Sequence, residues 1–181
     1  MVKLDLSEII RTSGVTVEHE INVTFKEIEG MTLTAPIRGQ MTISSTGTVL
    51  LLNGMVDTEI ELLCSRCGIP YRQPVQAVIE EDFVVHPAIP HGQAARVEED
   101  DEAPESRLFF DGTLDLNLDE LLRQSILLAL PLKPLCTEEC PGLCPHCGHS
   151  LSQGVCDCQP ETINPQMAVL QRLLEERQQN N

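Results

Sequence analysis

Six cysteines fall between residues 136 and 158, in CTEECPGLCPHCGHSLSQGVCDC, and the remaining two of the chain's eight form CSRCG at residues 64–68. A run this rich in Cys, Gly and Pro has too little apolar surface to order itself by burial, so its thiols must supply the ordering. Cys64/Cys67 and Cys144/Cys147 both stand as C-x-x-C-G. That turn presents two thiolates side by side and offers backbone N–H groups to the sulfurs. Zinc takes four ligands in a tetrahedron, so eight thiols suffice for two sites.

Three groupings are open at this point. In the first, Cys144, Cys147, Cys156 and Cys158 form one site while Cys136, Cys140, Cys64 and Cys67 form another. In the second, the two C-x-x-C-G turns pair with each other, as in zinc ribbons and rubredoxin-like iron sites. In the third, a single zinc is drawn from the six local cysteines and Cys64 and Cys67 stay free. Local and distant pairing differ by only about 1–2 kcal/mol in loop closure, which does not choose among them. His146 and His149 lie inside the run, but thiolates are already in surplus. A catalytic zinc keeps one position open for water, so the surplus favours structural zinc, one or two ions; cysteine-only sites also suit iron, the alternative.

Charge and composition narrow the partners. The chain has 28 Asp and Glu against 12 Lys and Arg, a net charge of −16, and the basic residues are scattered from Lys3 to Arg177. Phosphate binding needs clustered Lys and Arg, so broad nucleic-acid binding is disfavoured and no DNA contact is expected. With four Phe, one Tyr and no Trp, aromatic platforms for stacking bases are lacking, and the core must be aliphatic. An acidic surface attracts Lys/Arg-rich proteins, or simply keeps the chain soluble. The N-terminal MVKLDLSEIIRTSG lacks the apolar stretch of a secretory signal, and no run reaches the ~18–20 apolar residues of a membrane span. A cytoplasmic location is expected, where cysteines serve as ligands rather than disulfides.

Periodicity assigns the rest of the chain. Residues 4–13 read as a short helical turn. Val15, Val17, His19, Ile21, Val23 and Phe25 alternate with polar residues as in a half-buried strand, with His19 as a core or edge histidine. Ile37, Met41 and Ile43 continue the period of two to a turn at 44–47. In TVLLLNGMVDTEIELLC, Val56, Thr58, Ile60 and Leu62 share one side, and Asn53-Gly54 reads as a hairpin turn or a bulge. With the alternation from Val75 to Val85, Cys64 and Cys67 fall at the tip of an antiparallel hairpin. Residues 87–106, with Glu98-Glu99-Asp100-Asp101-Glu102, read as a disordered acidic loop, either a solvated linker or a bait for basic partners. Leu108 to Phe110 suggest a strand. Asn117 and Glu120 have capping-box spacing ahead of a helix with Leu118, Leu121, Leu122, Ser125, Leu128 and Ala129 on its apolar face, which Pro131 ends. Asn164-Pro165 opens a C-terminal helix with Met167, Leu170, Leu173 and Leu174 at helical spacing.

The expected class is therefore α+β: an antiparallel β-meander or small barrel-like sheet with a packed helix, plus a cysteine-rich zinc lobe and a C-terminal helix. Its expected divisions are 1–86 for the β region with the C-x-x-C hairpin, 87–106 for the acidic loop, 107–131 for strand and core helix, 132–162 for the metal-binding lobe, and 163–181 for the last helix.

The succession of CSRCG, an acidic loop, ALPLKPLC, GLCPHCG, CDC and INPQMAVL resembles the YceD family in its cysteine-rich version, from about residue 15 to 177. That resemblance implies a role in accumulating large-subunit ribosomal RNA, hence in ribosome biogenesis, and a gene often beside that of a small large-subunit ribosomal protein. Cys64, Arg66, Cys67, Cys144, Cys147, Cys156 and Cys158 match its motif positions, with Cys136 and Cys140 beside them. Ser150-Leu151-Ser152 departs from the pattern, which often has Asn-Leu-Asn. Two mechanisms follow as expectations: the acidic surface holds a basic ribosomal protein, or a patch around Arg66 and Arg72 contacts rRNA or a pre-ribosome directly. The alternatives are a zinc-binding protein-interaction module or a thiol redox protein using Cys64 and Cys67, both unrelated to ribosomes. No C-x-x-C opens a helix in a βαβ context, and no phosphate loop or nucleophile–base signature is present, so no enzyme is expected.

Overall fold

Two long strands dominate the molecule, β6 (Val49–Leu63) and β7 (Pro70–His86), paired antiparallel in one unbroken register from Val49 opposite Val84 to Leu63 opposite Pro70. The computed structural model describes residues 2–86, 96–97, 110 and 114–158, together with Met167, Leu170 and Leu173. Before β6 come β1 (Lys3–Asp5), α1 (Ser7–Arg11), β2 (Thr16–Val23), the short pair β3 (Glu27–Ile28) and β4 (Met31–Thr32), and β5 (Ile37–Ser45). After β7 come β8 (Arg96–Val97), β9 (Asp115–Asn117) and α2 (Leu118–Ala129). The main sheet runs β2-β5-β6-β7-β8, with β1-β9 and β3-β4 as separate two-stranded ribbons. This is an α+β fold built on antiparallel sheets.

Alternation explains which face is buried. Leu50, Leu52, Val56, Thr58, Ile60 and Leu62 turn inward from β6, and Val75, Ala77, Ile79, Phe83 and Val85 from β7. α2 packs against β7 and covers part of that face with Leu118, Leu121, Leu122 and Ile126. Phe110 adds a T-shaped contact with Phe83, ring centroids 5.1 Å apart. Leu128 does not join the buried face: it is 84% exposed although it follows the buried Leu121 by seven residues and so lies on nearly the same side, because it stands in the last turn of α2. Asn117 caps α2 by accepting from the Glu120 backbone N–H at 3.4 Å, but Glu120 does not close the capping box. Its carboxylate is taken by Arg123 and Gln124, and Arg123 also reaches Glu29 in the β3–β4 turn.

Asn53-Gly54 is neither a turn nor a bulge. Gly54 pairs with Met41 on one side and Ile79 on the other without a register shift. Its role is close approach: a Cβ there would lie 2.6 Å from the Gln40 carbonyl oxygen, and one on Gly39 would collide with the Met55 carbonyl. β2 is an edge strand, so its apolar stripe is fully buried only at Ile21, while Val17 stays exposed and His19 is half-buried. β8 pairs with Val85 and His86 inside the segment read as a loop; the rest of 87–106 lies outside the described residues. So does the expected C-terminal helix, apart from Met167, Leu170 and Leu173, all exposed.

The chain divides into two units, Met1–Cys140 and Pro141–Asn181. The boundary falls inside the run expected to form a single cysteine-rich lobe. Cys136 and Cys140 belong to the first unit, and Cys144 to Cys158 to the second.

Candidate metal centres

The hairpin that joins β6 to β7 ends in Cys64-Ser65-Arg66-Cys67-Gly68-Ile69, and its backbone closes on itself. The Cys64 N–H donates to the Ile69 carbonyl at 3.0 Å and the Gly68 N–H to the Cys64 carbonyl at 2.9 Å, with Gly68 at φ 69°. Residues 144–149 repeat this geometry. The Cys144 N–H donates to the His149 carbonyl at 2.8 Å and the Gly148 N–H to the Cys144 carbonyl at 2.9 Å, with Gly148 at φ 72°. A positive φ at that position is what the glycine of C-x-x-C-G supplies.

Each knuckle is completed by a second pair of thiols. Cys64, Cys67, Cys136 and Cys140 form one cluster and Cys144, Cys147, Cys156 and Cys158 the other, with all four sulfurs of each set within 4.8 Å of one another. The structure thus brings the cysteines together as the first grouping has it. The C-x-x-C-G turns do not pair with each other, and both histidines stay out of the clusters. In the first cluster, Cys64 Sγ lies 3.7 Å from Cys140 Sγ and Cys67 Sγ lies 3.8 Å from Cys136 Sγ. A tetrahedron with metal–sulfur bonds of about 2.3 Å has edges of about 3.8 Å, so the donor set fits a four-coordinate ion.

The first cluster is buried and well held. Cys64, Cys67 and Cys140 pack with Ile69, Tyr71 and Leu135. The Ser65 N–H donates to the Pro134 carbonyl at 2.8 Å. The Arg66 guanidinium donates to the carbonyls of Glu138 (3.0 Å) and Cys140 (3.1 Å), tying the hairpin tip to the segment that completes the site. Arg66, expected as a partner contact, is exposed, with its guanidinium on these two carbonyls. Arg72 remains largely exposed, 3.7 Å from the Glu59 carboxylate.

The electrostatics repeat as well. Backbone N–H groups, that of Cys136 foremost, bring the Cys64 thiol down to about 6, while the hydrogen bond that the Cys136 thiol donates to Cys140, together with burial, pushes Cys136 up to about 12. In the second cluster, the N–H groups of Cys147 and His146 bring Cys144 down to about 6, and Cys147 and burial push Cys158 up to about 12. Four thiols this close cannot all ionise unless a cation sits among them. The second cluster is more open, with Cys147 exposed and only Cys144 buried. Ser150, at the departure from Asn-Leu-Asn, bridges to Leu143 through its backbone, but its buried hydroxyl has no hydrogen-bond partner among the described residues.

Residues 52–174 match the YceD family, described as large ribosomal RNA subunit accumulation protein YceD. An uncharacterized protein of Mycobacterium bovis is 29% identical over 176 residues, covering 94% of this chain and 80% of its own. One from Mycobacterium leprae is 30% identical over 65% of this chain and half of its own. A chloroplastic YCED homolog 1 of Arabidopsis thaliana, named as a large ribosomal RNA subunit accumulation protein, is 24% identical over 80% of this chain and half of its own. No solved structure matches the chain.

Proposed function

The chain belongs to the YceD family, and on that premise we propose that it is a non-enzymatic, zinc-stabilised cytoplasmic factor that supports large-subunit rRNA accumulation by holding a basic ribosomal protein. The observation that carries this reading is the net charge of −16 in a family tied to RNA. Such a field repels phosphate, so an effect on rRNA is more readily exerted through a protein that rRNA itself binds. The acidic chain masks the basic protein until RNA replaces the contact, and the effect on RNA is indirect.

Each thiol set offers four protein ligands, enough to fill a tetrahedral ion's coordination, which supports a structural metal with no position left for water. Zinc would be held by the eight cysteines and would supply the positive charge that lets the thiols ionise together. The rival reading, rRNA contact around Arg66 and Arg72, has less support, because the Arg66 guanidinium is engaged with two carbonyls.

The test is retention of purified basic large-subunit proteins on the immobilised chain across a salt series. Retention that weakens as salt rises is expected. Specific crosslinking to rRNA in the absence of any protein would overturn the proposal, and loss of that crosslink on substituting Arg72 would establish the rival.

A further inference from the structure

The two faces of the main sheet are unlike. One is buried; the other is uncovered among the described residues. Register places Met55 of β6 opposite Val78 of β7 on this second face, with Gln40 and Glu20 continuing the row onto β5 and β2. Met55 is 48% and Val78 63% exposed, and Met55 lies on a strand paired along both sides. Around this apolar pair stand the exposed carboxylates of Glu18, Glu20, Asp57, Glu61, Glu80 and Asp82. Among the residues whose burial is described, its cations are Arg38 and Arg72, the latter paired with Glu59, and register puts Arg96 at the β8 edge of the same face, opposite His86.

Neighbouring strands are about 4.8 Å apart and same-face residues along a strand about 7 Å, both within the Debye length of about 8 Å at physiological salt. The carboxylates therefore act as one field instead of separate screened charges. From this arrangement we infer that the open face of the sheet, centred on Met55 and Val78, is the docking surface for a Lys/Arg-rich polypeptide segment with an apolar residue at its middle. The inference rests on the reading that the partner is a basic protein, and adds where it binds. Charge complementarity selects the occupant: the field that draws Lys and Arg repels RNA and anionic membrane. The apolar pair gives the contact a centre from which water is excluded, ringed by charges that stay solvated.

The test is fluorescence anisotropy with the full chain in its metal-loaded form and a labelled Lys/Arg-rich peptide carrying a central pair of leucines. A matched peptide with serines in their place and a single-stranded RNA serve as second and third probes. Asp57→Lys with Glu80→Lys is expected to weaken peptide binding about tenfold or more at physiological salt. Met55→Ser with Val78→Ser is expected to abolish the preference for leucines over serines. Glu8→Lys, off the face, and neutralisation of Glu98, Glu99, Asp100, Asp101 and Glu102 to their amides are expected to leave binding unchanged. All these substitutions are at exposed positions or in the acidic run, and circular dichroism melting checks that each variant folds. If the doubly reversed chain binds normally and the neutralised run loses binding, the sheet face is wrong while the basic-partner reading stands. If the unaltered chain ignores both peptides but binds the RNA, both fall together.

Discussion

The two thiol clusters are the same module finished in two ways. Each begins with a C-x-x-C-G knuckle of matching hydrogen bonds, yet the first is completed by Cys136 and Cys140, some 70 residues away, and the second by Cys156 and Cys158, within the same short run. Closing the longer loop costs about 2 kcal/mol more in chain entropy. The β6–β7 hairpin and α2 have already brought those ends together when the first unit is folded. The first site is therefore coupled to the fold of the whole sheet, while the second is coupled only to its own neighbourhood. That contrast makes the clusters separable by experiment.

The largest effects should come from removing a thiol. Cys140→Ser is expected to reduce the metal count from two ions to one in native mass spectrometry and to lower the unfolding midpoint of the first unit by on the order of 10 °C. Cys147→Ser should also remove one ion but leave that transition within about 2 °C. Equal losses in calorimetry would break the contrast between a global and a local site.

Arg66→Ala is expected to have an intermediate effect, since it deletes two charge-assisted hydrogen bonds to carbonyls but no ligand. Such bonds contribute roughly 1.5–3 kcal/mol when well shielded. The rate at which a chromogenic chelator strips the first site should rise about tenfold, with the second site unaffected and Arg66→Lys restoring only part of the loss. A uniform change at both sites would show that Arg66 acts otherwise.

The smallest effect belongs to a clamp that needs no metal. Hydrogen bonds from Arg123 hold the Glu120 carboxyl below the usual carboxylate range. Because the folded value lies under the unfolded one, the pair stabilises the first unit above the ordinary value of 4.5 and loses that contribution as pH falls through the folded value. Glu120→Gln should thus cost about 1 kcal/mol or less at neutral pH, by chemical denaturation, and the gap to the unaltered chain should close in acid. A gap independent of pH would assign the effect to packing.

Much of this was legible in the residues. Strict alternation locates β5, β6 and β7, and Asn117 marks the start of α2, because periods of 2 and 3.6 and capping chemistry are local. Other features were not. The β1–β9 ribbon is three residues long on each side and depends on a partner more than a hundred residues away. Asn53-Gly54 carries a turn's signature but serves two strands that approach too closely for a Cβ. Leu128 has the hydrophobicity and the helical position of a core residue, seven after the buried Leu121, but stands exposed in the last turn of its helix.

The sequence by itself determined that the chain carries two thiol knuckles, an aliphatic antiparallel sheet and a strongly acidic charge, all of which depend on residue type and short-range spacing. The tertiary structure alone decided which pair completes which knuckle and which face of the sheet is left open. Loop-closure entropy grows only logarithmically with length, so spacing cannot rank near and far partners. Packing can, because the hairpin tip docks on residues 134–140 through Ser65 and Arg66 and leaves Cys144 and Cys147 to the thiols beside them.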